Sequence, residues 1–318
     1  MSILKNKQFR ILDLVKKYSV YFILAVLLII AFSVSSDFRA IGNIMNLLNQ
    51  MSVIGVLAIG QTIVLLTGNF DLSHGSYVAL CSVLIALFMP HGIFVAIIVA
   101  TLGLVFLGTF NAFFVNRGVL SLIVTLGMTG IARSLALFFA NSDAVPISNP
   151  KFMSLSYGTV FGIVPYTVIL WVAMVVISSL MLKHTRLGRH IYAVGGDKES
   201  ARLSGIHINR IMYMVFITSA LCAMIAGMFY ASRLGVGLPD KSVGYELDSI
   251  ASSVIGGTSL FGGIGTQGGT FVGVIVFGVI TNFLTIIGVS AYWQLVFKGL
   301  IIAIAVYLNL RSVSTGKE

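Results

Sequence analysis

Charged residues are scarce in this chain: Asp, Glu, Lys and Arg make up 9% of its 318 residues, while 58% are hydrophobic. Soluble domains are roughly one quarter charged, and a soluble domain of this length would need many more charges to cover its surface. The apolar residues fall instead in long runs, several of them long enough to cross the hydrocarbon core of a bilayer. The composition excludes an ordinary soluble protein and predicts an all-α polytopic membrane protein, because lipid cannot satisfy exposed backbone groups.

The sequence also lacks the motifs of nucleotide binding and catalysis. It contains no G-x-x-x-x-G-K-[ST] phosphate loop, no H-E-x-x-H and no G-x-S-x-G. Gly263–Gly268 matches G-x-G-x-x-G, but it lies between membrane segments, and no acidic residue occurs between Asp248 and Glu318. The two cysteines, Cys81 and Cys222, lie in apolar runs and form no metal or disulfide pattern. We therefore expect a non-enzymatic protein with no catalytic residues, metal or cofactor.

Apolar runs separated by polar, Gly or Pro breaks predict about ten transmembrane helices, some short or interrupted, in a single domain covering residues 1–318. The predicted segments are Tyr18–Val34, Ile44–Leu66, Ser76–Met89, Ile93–Val115, Leu120–Phe139, Val160–Leu182, Ile211–Ala231, Ile250–Leu260, Thr270–Leu284 and Tyr292–Leu310.

The net charge of +10 comes from basic residues that lie between these runs. With ten passes, the basic N-terminal tail, Arg117, the Lys183–Arg210 segment and the C-terminal tail with Arg311 and Lys317 all fall on one side. The positive-inside rule then places both termini and the long loop in the cytoplasm. A nucleic-acid partner is disfavoured, because it would need the bases clustered on one face.

Two Gly-rich breaks interrupt the apolar pattern at membrane depth. One follows Ile59-Gly60-Gln61-Thr62 and the other follows Ile255-Gly256-Gly257-Thr258. Matching interruptions in two halves indicate an internal repeat and a central pathway, although ordinary turns between helices remain an alternative. The candidate pathway residues are Asn69, Asp71, Ser73, His74, Gly256, Gly257 and Thr258. Asp71 could equally cap a helix start, and we expect Arg133 to have an internal carboxylate or carbonyl partner.

The longest polar segment, residues 183–210, predicts a short amphipathic helix. Asp197 is a suitable N-cap and Gly205 a suitable stop. Its apolar residues Ala201, Leu203 and Ile206 are too few to form a core, so we expect them to need a partner surface. A solvated loop helix that carries orientation charges is the alternative.

Four stretches of this chain closely resemble the ribose-type permeases of ATP-binding-cassette (ABC) importers. They are Thr185–Arg210, Gly68–Ser73 with Gly75 and Ser76, Gly244–Ala251 leading to Ile255–Leu260, and Gly288–Gln294, which span nearly the whole chain in the order of the family. His74 departs from the family, which usually has an apolar residue there.

The resemblance implies a bacterial inner-membrane permease that works with a second permease subunit, cytoplasmic ATPase subunits and a periplasmic sugar-binding protein. It implies that residues 183–210 form a cytoplasmic coupling loop, with ATPase-coupling residues Asp197, Ser200, Ala201, Arg202, Leu203, Gly205 and Ile206. It also implies that Gly68–Ser73 and Gly256–Gly265 lie beside the pathway.

The expected function is import of a monosaccharide such as a ribose-like pentose. The same architecture could carry a branched-chain amino acid, a nucleoside or a sugar-derived signal. An ion-coupled secondary transporter is a further alternative, but it would need intramembrane acids for coupling, and Asp71 is the clearest candidate.

Overall fold

A computed structural model describes residues 20–315, apart from the side chains of several residues in the last helix. The basic N-terminal tail, the first two residues of the predicted first segment, and Lys317 lie outside the described residues. Within the described part, seven helices are long and apolar enough to cross a membrane. The chain is therefore an all-α polytopic membrane protein, and the count of ten passes stays a prediction.

Fourteen helices, one 3₁₀ turn and four two-residue strands make up the described chain. The helices are α1 (Val20–Val34), α2 (Ser36–Arg39), α3 (Ile41–Leu65), α4 (His74–Phe88), α5 (Ile93–Asn116), α6 (Ser121–Phe139), α7 (Pro150–Tyr157), α8 (Tyr166–His184), α9 (Arg186–Gly196), α10 (Lys198–Leu203), α11 (Ile208–Leu234), α12 (Tyr245–Ile255), α13 (Gln267–Ile286) and α14 (Ala291–Thr315). The 3₁₀ turn is Met89–His91, and the strands are β1 (Val145–Pro146), β2 (Thr159–Val160), β3 (Val164–Pro165) and β4 (Val236–Gly237).

Each predicted segment overlaps one helix, with two shifts. Helix α8 begins at Tyr166 rather than at Val160, because β2 and β3 pair antiparallel around a tight turn in which Gly162 adopts a positive φ. Helix α12 begins at Tyr245 and ends at Ile255, where Gly256 and the left-handed Gly257 stop it. It has only 11 residues, too few to cross a bilayer alone.

Buried helices form the centre of the bundle, and apolar helices surround them. Buried residues make up 83% of the most apolar window of α3 and 78% of the span formed by α4 and the 3₁₀ turn after it, against 28% in α5 and 22% in α6. The exposed side chains of α5 and α6 include Phe94, Phe106 and Leu126. Large apolar side chains on the outside suit contact with lipid, because hydrocarbon does not penalise them.

Helix α11 packs against α3, α4 and α5, while α12 and α13 pack against α3. Helix α3 therefore separates a half built from α4, α5 and α11 from a half built from α12 and α13. It runs between two ends of the bundle. One, here called the α9 end, holds α9, α10 and the two Gly-rich breaks; the other, the α7 end, holds α2, α7 and β3.

Candidate functional site

Asp71 is the centre of a buried polar network. Its side chain accepts hydrogen bonds from the Ser73 amide (3.0 Å), from the Ser73 hydroxyl and from the Ser219 hydroxyl of α11 (2.6 Å). His74 Nε2 lies 2.6 Å from the Ser219 oxygen and 3.6 Å from Asp71 Oδ2. Because the Ser219 proton is directed at Asp71, His74 Nε2 must be the donor to Ser219. Asp71, Ser73 and His74 are fully buried, so these three predicted pathway residues form a closed network.

The same network ties the first break to α5. Asn111 donates to the Tyr77 hydroxyl (3.1 Å) and, more weakly, to the Ser73 hydroxyl (3.4 Å). Asp71 accepts from the Ser73 amide just before α4, but no side chain caps the amides of the helix itself, so the capping alternative for Asp71 is wrong. Unpaired buried polar groups are costly, so this network fixes the course of the chain between α3 and α4.

Arg133 of α6 lies close to polar backbone and side-chain groups. Its guanidinium lies 3.4 Å from both the Ser76 hydroxyl and the Asp240 carbonyl oxygen. The expected internal carbonyl partner is therefore present at a long hydrogen-bond distance.

The two Gly-rich breaks meet at the α9 end. The Gly263 amide donates to the Leu66 carbonyl oxygen (3.0 Å), so the chain after α12 bonds directly to the end of α3. Helix α9 lies on this contact at Gly195. A Cβ atom built on Gly195 would lie 1.7 Å from the Leu66 oxygen and 2.6 Å from the Gly263 nitrogen. Only glycine fits there, and we call this contact of Leu66, Gly195 and Gly263 the glycine junction.

Helix α9 itself was missed by the sequence reasoning. Thr185 caps it by accepting a hydrogen bond from the Gly188 amide (3.2 Å), and its apolar residues Ile191 and Val194 are buried. Tyr192 donates to the Gly265 carbonyl oxygen (2.7 Å) and so fixes α9 to the second break. The Thr185 cap and the helical spacing of the apolar residues were the available signals.

The short helix predicted after Asp197 is present as α10, while its role in coupling to an ATPase stays a prediction. Asp197 accepts a hydrogen bond from the Ser200 amide (2.6 Å). Hydrogen bonding by the Ser200 side chain and by its amide holds the pKa of Asp197 below its ordinary value. Gly205, with φ of 81°, ends the turn. Arg202 forms an exposed ion pair with Glu199 at 2.6 Å, which is a surface pair of small energetic weight.

The sequence predicted that the apolar residues of this loop all need a partner surface, but two of the three are already covered by the chain. Ala201 is 4% exposed and already buried by the chain, and Ile206 packs on the core. Leu203 alone of the three is 78% exposed. The free apolar surface of α10 is therefore smaller than predicted and centred on Leu203.

The second set of predicted pathway residues follows α12. Gly257 is exposed, Gly256 is half-buried and Thr258 is buried. Asn69, in the first break, is half-buried and bonds to the Thr67 hydroxyl (3.0 Å). The structure thus brings the two breaks into contact, but it directs Asp71, Ser73 and His74 towards α11 and α5 instead.

A buried polar seam runs between α3, α12 and α13. The Thr62 hydroxyl lies 3.0 Å from Ser253 and 2.7 Å from Thr270, and Gln267 donates to the Ile59 carbonyl oxygen (3.2 Å). Gln61 is fully buried, and neither of its amide atoms has a hydrogen-bond partner within the described residues. Polar groups at this depth in a membrane bundle are costly and point to function.

An open polar cleft lies on the same three helices at the α7 end. It has a volume of about 310 Å³, and Asn46 and Gln50 of α3, Thr281 and Asn282 of α13, Asp248 of α12 and Lys298 of α14 are among its lining residues. We call it the amide cleft. Lys298 Nζ contacts both carboxylate oxygens of Asp248, at 3.1 and 2.9 Å. Sequence reasoning did not find the cleft, although Asn43, Asn46 and Gln50 have the spacing of one helix face.

A second cavity, of about 470 Å³, lies at the α9 end beside the coupling loop. Lys183, Arg189 and Tyr192 line it together with Thr266 and Gln267. Its basic side chains make it unlike the amide cleft, whose charged groups are paired.

Most of the chain is similar in sequence to known transport permeases. Residues 43–306 match the family described as branched-chain amino acid transport system / permease component. The ribose import permease protein of Escherichia coli (strain K12) is 38% identical over 298 residues, which cover 90% of this chain and 91% of that protein.

Two further relatives are similar over the same extent. The ribose import permease protein of Bacillus subtilis (strain 168) is 37% identical over 293 residues, 90% of each chain. The D-allose transport system permease protein of Escherichia coli (strain K12) is 36% identical over 298 residues, 92% of this chain and 91% of that one. No solved structure matches the chain.

Proposed function

This chain belongs to the family of branched-chain amino acid transport system permease components, and we propose that it is the membrane-spanning permease subunit of an ABC importer for a monosaccharide. The observation that carries the proposal is the similarity, over about nine tenths of the chain, to permeases named for ribose and D-allose import. A permease named for L-arabinose transport, from Azospirillum brasilense, is 35% identical over 86% of this chain. The sugars in these names share a small, neutral, polyhydroxylated ring.

The energy source is assigned to a separate ATPase subunit. The sequence holds no phosphate loop, so the permease contributes the path and the ATPase contributes hydrolysis. We place the ATPase against α10, where Leu203 is exposed and the helix is short and firmly capped. Asp197, Ser200, Arg202 and Gly205 shape this surface, while Ala201 and Ile206 anchor it to the bundle.

The α9 end is assigned to the cytoplasm. The basic segment 183–210 lies there, and positive residues are retained on the cytoplasmic side of membrane proteins. With ten passes both termini are cytoplasmic as well. The α7 end then faces the periplasm, where a sugar-binding protein would deliver the cargo, and a second permease copy or a related subunit would complete the assembly.

The translocation path is assigned to the α3, α12 and α13 helices. It begins at the amide cleft, is closed at the polar seam around Thr62 and ends beside Gly256, Gly257, Thr258 and Asn69 at the α9 end. Asp71, Ser73 and His74 do not line this path. They act on it indirectly, because their hydrogen-bond network sets the position of the first break. Movement of α9 would reach both breaks through the glycine junction.

Branched-chain amino acid import is the second candidate, because the family description names that cargo. A zwitterion needs charged partners in a buried site, and the charged side chains that line the amide cleft among the described residues are bonded to each other. Ion coupling is disfavoured, because Asp71 already accepts three hydrogen bonds.

Reconstitution tests this function. The permease, its ATPase and its binding protein are placed in proteoliposomes, and uptake of radiolabelled D-ribose, D-allose, L-arabinose and L-leucine is measured with and without ATP. ATP-dependent uptake of at least one sugar, exceeding that of leucine, supports the proposal. Uptake of leucine alone, or uptake driven by an ion gradient without ATP, contradicts it.

A further inference from the structure

The amide cleft presents hydrogen-bonding groups that the protein itself leaves unused. Asn46 and Gln50 are exposed on one face of α3, and neither makes a side-chain hydrogen bond within the described residues. Each primary amide offers two donors and one acceptor oxygen. A sugar hydroxyl both donates and accepts, so adjacent amides can bond it in either direction, whichever hydroxyl faces them.

The cleft is electrically balanced. Asp248 and Lys298 are its only charged side chains among the described lining residues, and they form one ion pair at 2.9 Å with side-chain exposures of 10% and 26%. A neutral ligand leaves this pair intact. A carboxylate or ammonium ligand would have to break the pair or lose water without gaining a partner, which opposes binding.

The size and position of the cleft also suit a small cargo. Its volume of about 310 Å³ lies at the lower end of the range of ligand pockets, roughly 300–1,000 Å³. Met51, Val274 and Phe277 give it an apolar wall against which ring carbons can pack. Gln50 and Thr62 are twelve residues apart on α3, which is about 18 Å at 1.5 Å per residue, whereas Val274 and Thr270 are four residues, about 6 Å, apart on α13. A bound ligand would therefore sit on the α7 side of the closed seam, about one helical turn from it.

We propose that the amide cleft is a binding site, within the permease itself, for a neutral polyhydroxylated ring, and that Asn46 and Gln50 select it over a zwitterionic amino acid. The inference rests on the proposed function, and it adds that the permease takes part in recognising the cargo. The site is outward-facing, and the polar seam closes it from the other end.

The first test replaces the free amides. Asn46→Leu, Gln50→Leu and the double variant are assembled with the ATPase and binding protein in proteoliposomes. Uptake is measured with whichever of D-ribose, D-allose and L-arabinose the wild type imports fastest. The matched control is Asn209→Leu, which removes an exposed amide at the α9 end. We expect a fall of about three- to tenfold for each single variant, because each loses one or more hydrogen bonds to the cargo.

The double variant should fall further, while Asn209→Leu stays within twofold of the wild type. Co-purification with the ATPase should be unchanged in all of them, which shows that the variants fold and assemble. If the wild type imports a sugar and the double variant imports it equally well, the cleft is not the binding site and the proposed function still stands. If the wild type imports no sugar, the proposed function fails first.

A second test detects ligand binding in the cleft directly and does not measure transport. Gln50→Cys is introduced into the native sequence, where Cys81 and Cys222 are buried, and the assembled permease is treated with an impermeant maleimide. We expect the imported sugar to slow labelling of this cysteine and an equal concentration of L-leucine to leave the rate unchanged, whereas Asn209→Cys is unaffected by either. Equal protection by both ligands, protection by neither, or a cysteine made unreactive because a second permease copy covers the cleft would overturn the inference.

Discussion

Asn43 and Asn282 exchange two side-chain hydrogen bonds of 3.1 Å each, so that each amide donates to the oxygen of the other. The two residues are 239 positions apart in the chain and join the first turn of α3 to the last turn of α13. The pair closes one edge of the amide cleft. It therefore holds the two helices that carry the proposed path at a fixed separation on the α7 side.

Breaking this pair should destabilise the bundle. Asn43→Leu leaves Asn282 without its partner, and we expect a loss of about 1 kcal/mol in the free energy of unfolding. The double variant Asn43→Leu/Asn282→Leu should recover part of the loss, because it leaves no unpaired amide. Unfolding of the detergent-solubilised permease, followed by tryptophan fluorescence, measures both. Losses that simply add would show that the two amides are not coupled.

The glycine junction should not tolerate a methyl group. Gly195→Ala places Cβ 1.7 Å from the Leu66 carbonyl oxygen, so α9 must move away from both breaks. We expect ATP-dependent uptake to fall at least about tenfold, corresponding to ~1.4 kcal/mol. Gly196→Ala is the matched control, because a Cβ atom there meets nothing within 4 Å. Equal uptake by the two variants would show that the close contact is not needed for transport.

The exposed surface of α10 should determine ATPase binding. Leu203→Glu puts a charge into the proposed interface, and burying it without a partner should weaken co-purification with the ATPase by about tenfold or more. The yield of folded permease should be normal, because Leu203 is 78% exposed. Ala201→Glu is expected to lower that yield instead, since Ala201 is buried within the chain. Lys198→Gln should change neither quantity, and retained ATPase binding by Leu203→Glu would contradict the docking role.

The orientation of the permease in the membrane can be determined with one introduced cysteine at a time, because both native cysteines are buried. Ser200→Cys lies in α10 and Lys151→Cys lies in α7, at the other end of the bundle, and both positions are exposed. An impermeant maleimide added to intact cells should label the second and not the first. After the membrane is permeabilised, both should react. Efficient labelling of Ser200→Cys in intact cells would reverse the topology.

Removing one partner of the ion pair in the amide cleft should cost more stability than removing both partners. Lys298→Met leaves the Asp248 carboxylate mostly buried and unpaired, which we expect to cost about 3 kcal/mol. Asp248→Asn/Lys298→Met leaves no charge and should recover most of that stability. It should also retain sugar uptake, because the cleft remains neutral. A double variant less stable than Lys298→Met would show that the pair itself stabilises the bundle.

The membrane segments could be predicted from the sequence because hydropathy is a local property. Helix α5, for example, was predicted as Ile93–Val115 and ends at Asn116. Helix α10 was predicted from its cap and its stop, Asp197 and Gly205, which are also local signals. The error at α8 arose because the apolar residues of β2 and β3 extend the hydrophobic run of the helix.

The candidate site was predicted less well, because it depends on contacts between distant segments. The two breaks were found from their glycines, but nothing local shows that Gly263 bonds to Leu66 or that Gly195 lies against both. Asp71 was singled out as a membrane-depth acid, yet only packing shows that Ser219 satisfies it. The amide cleft needs residues from α3, α12, α13 and α14 to converge, and no single segment carries that pattern.

The glycine junction is made of backbone atoms alone, whereas the amide cleft at the far end of α3 and α13 is made of side chains. If the cleft binds the cargo as proposed, substitutions at Asn46 or Gln50 would alter what is carried without disturbing the backbone contact between α9 and the two breaks. On the proposed function, permeases for different cargoes would differ at the cleft, one side chain at a time, while the contact of α9 with the two breaks is kept. The same separation makes the cleft the place to redesign such an importer for a new solute.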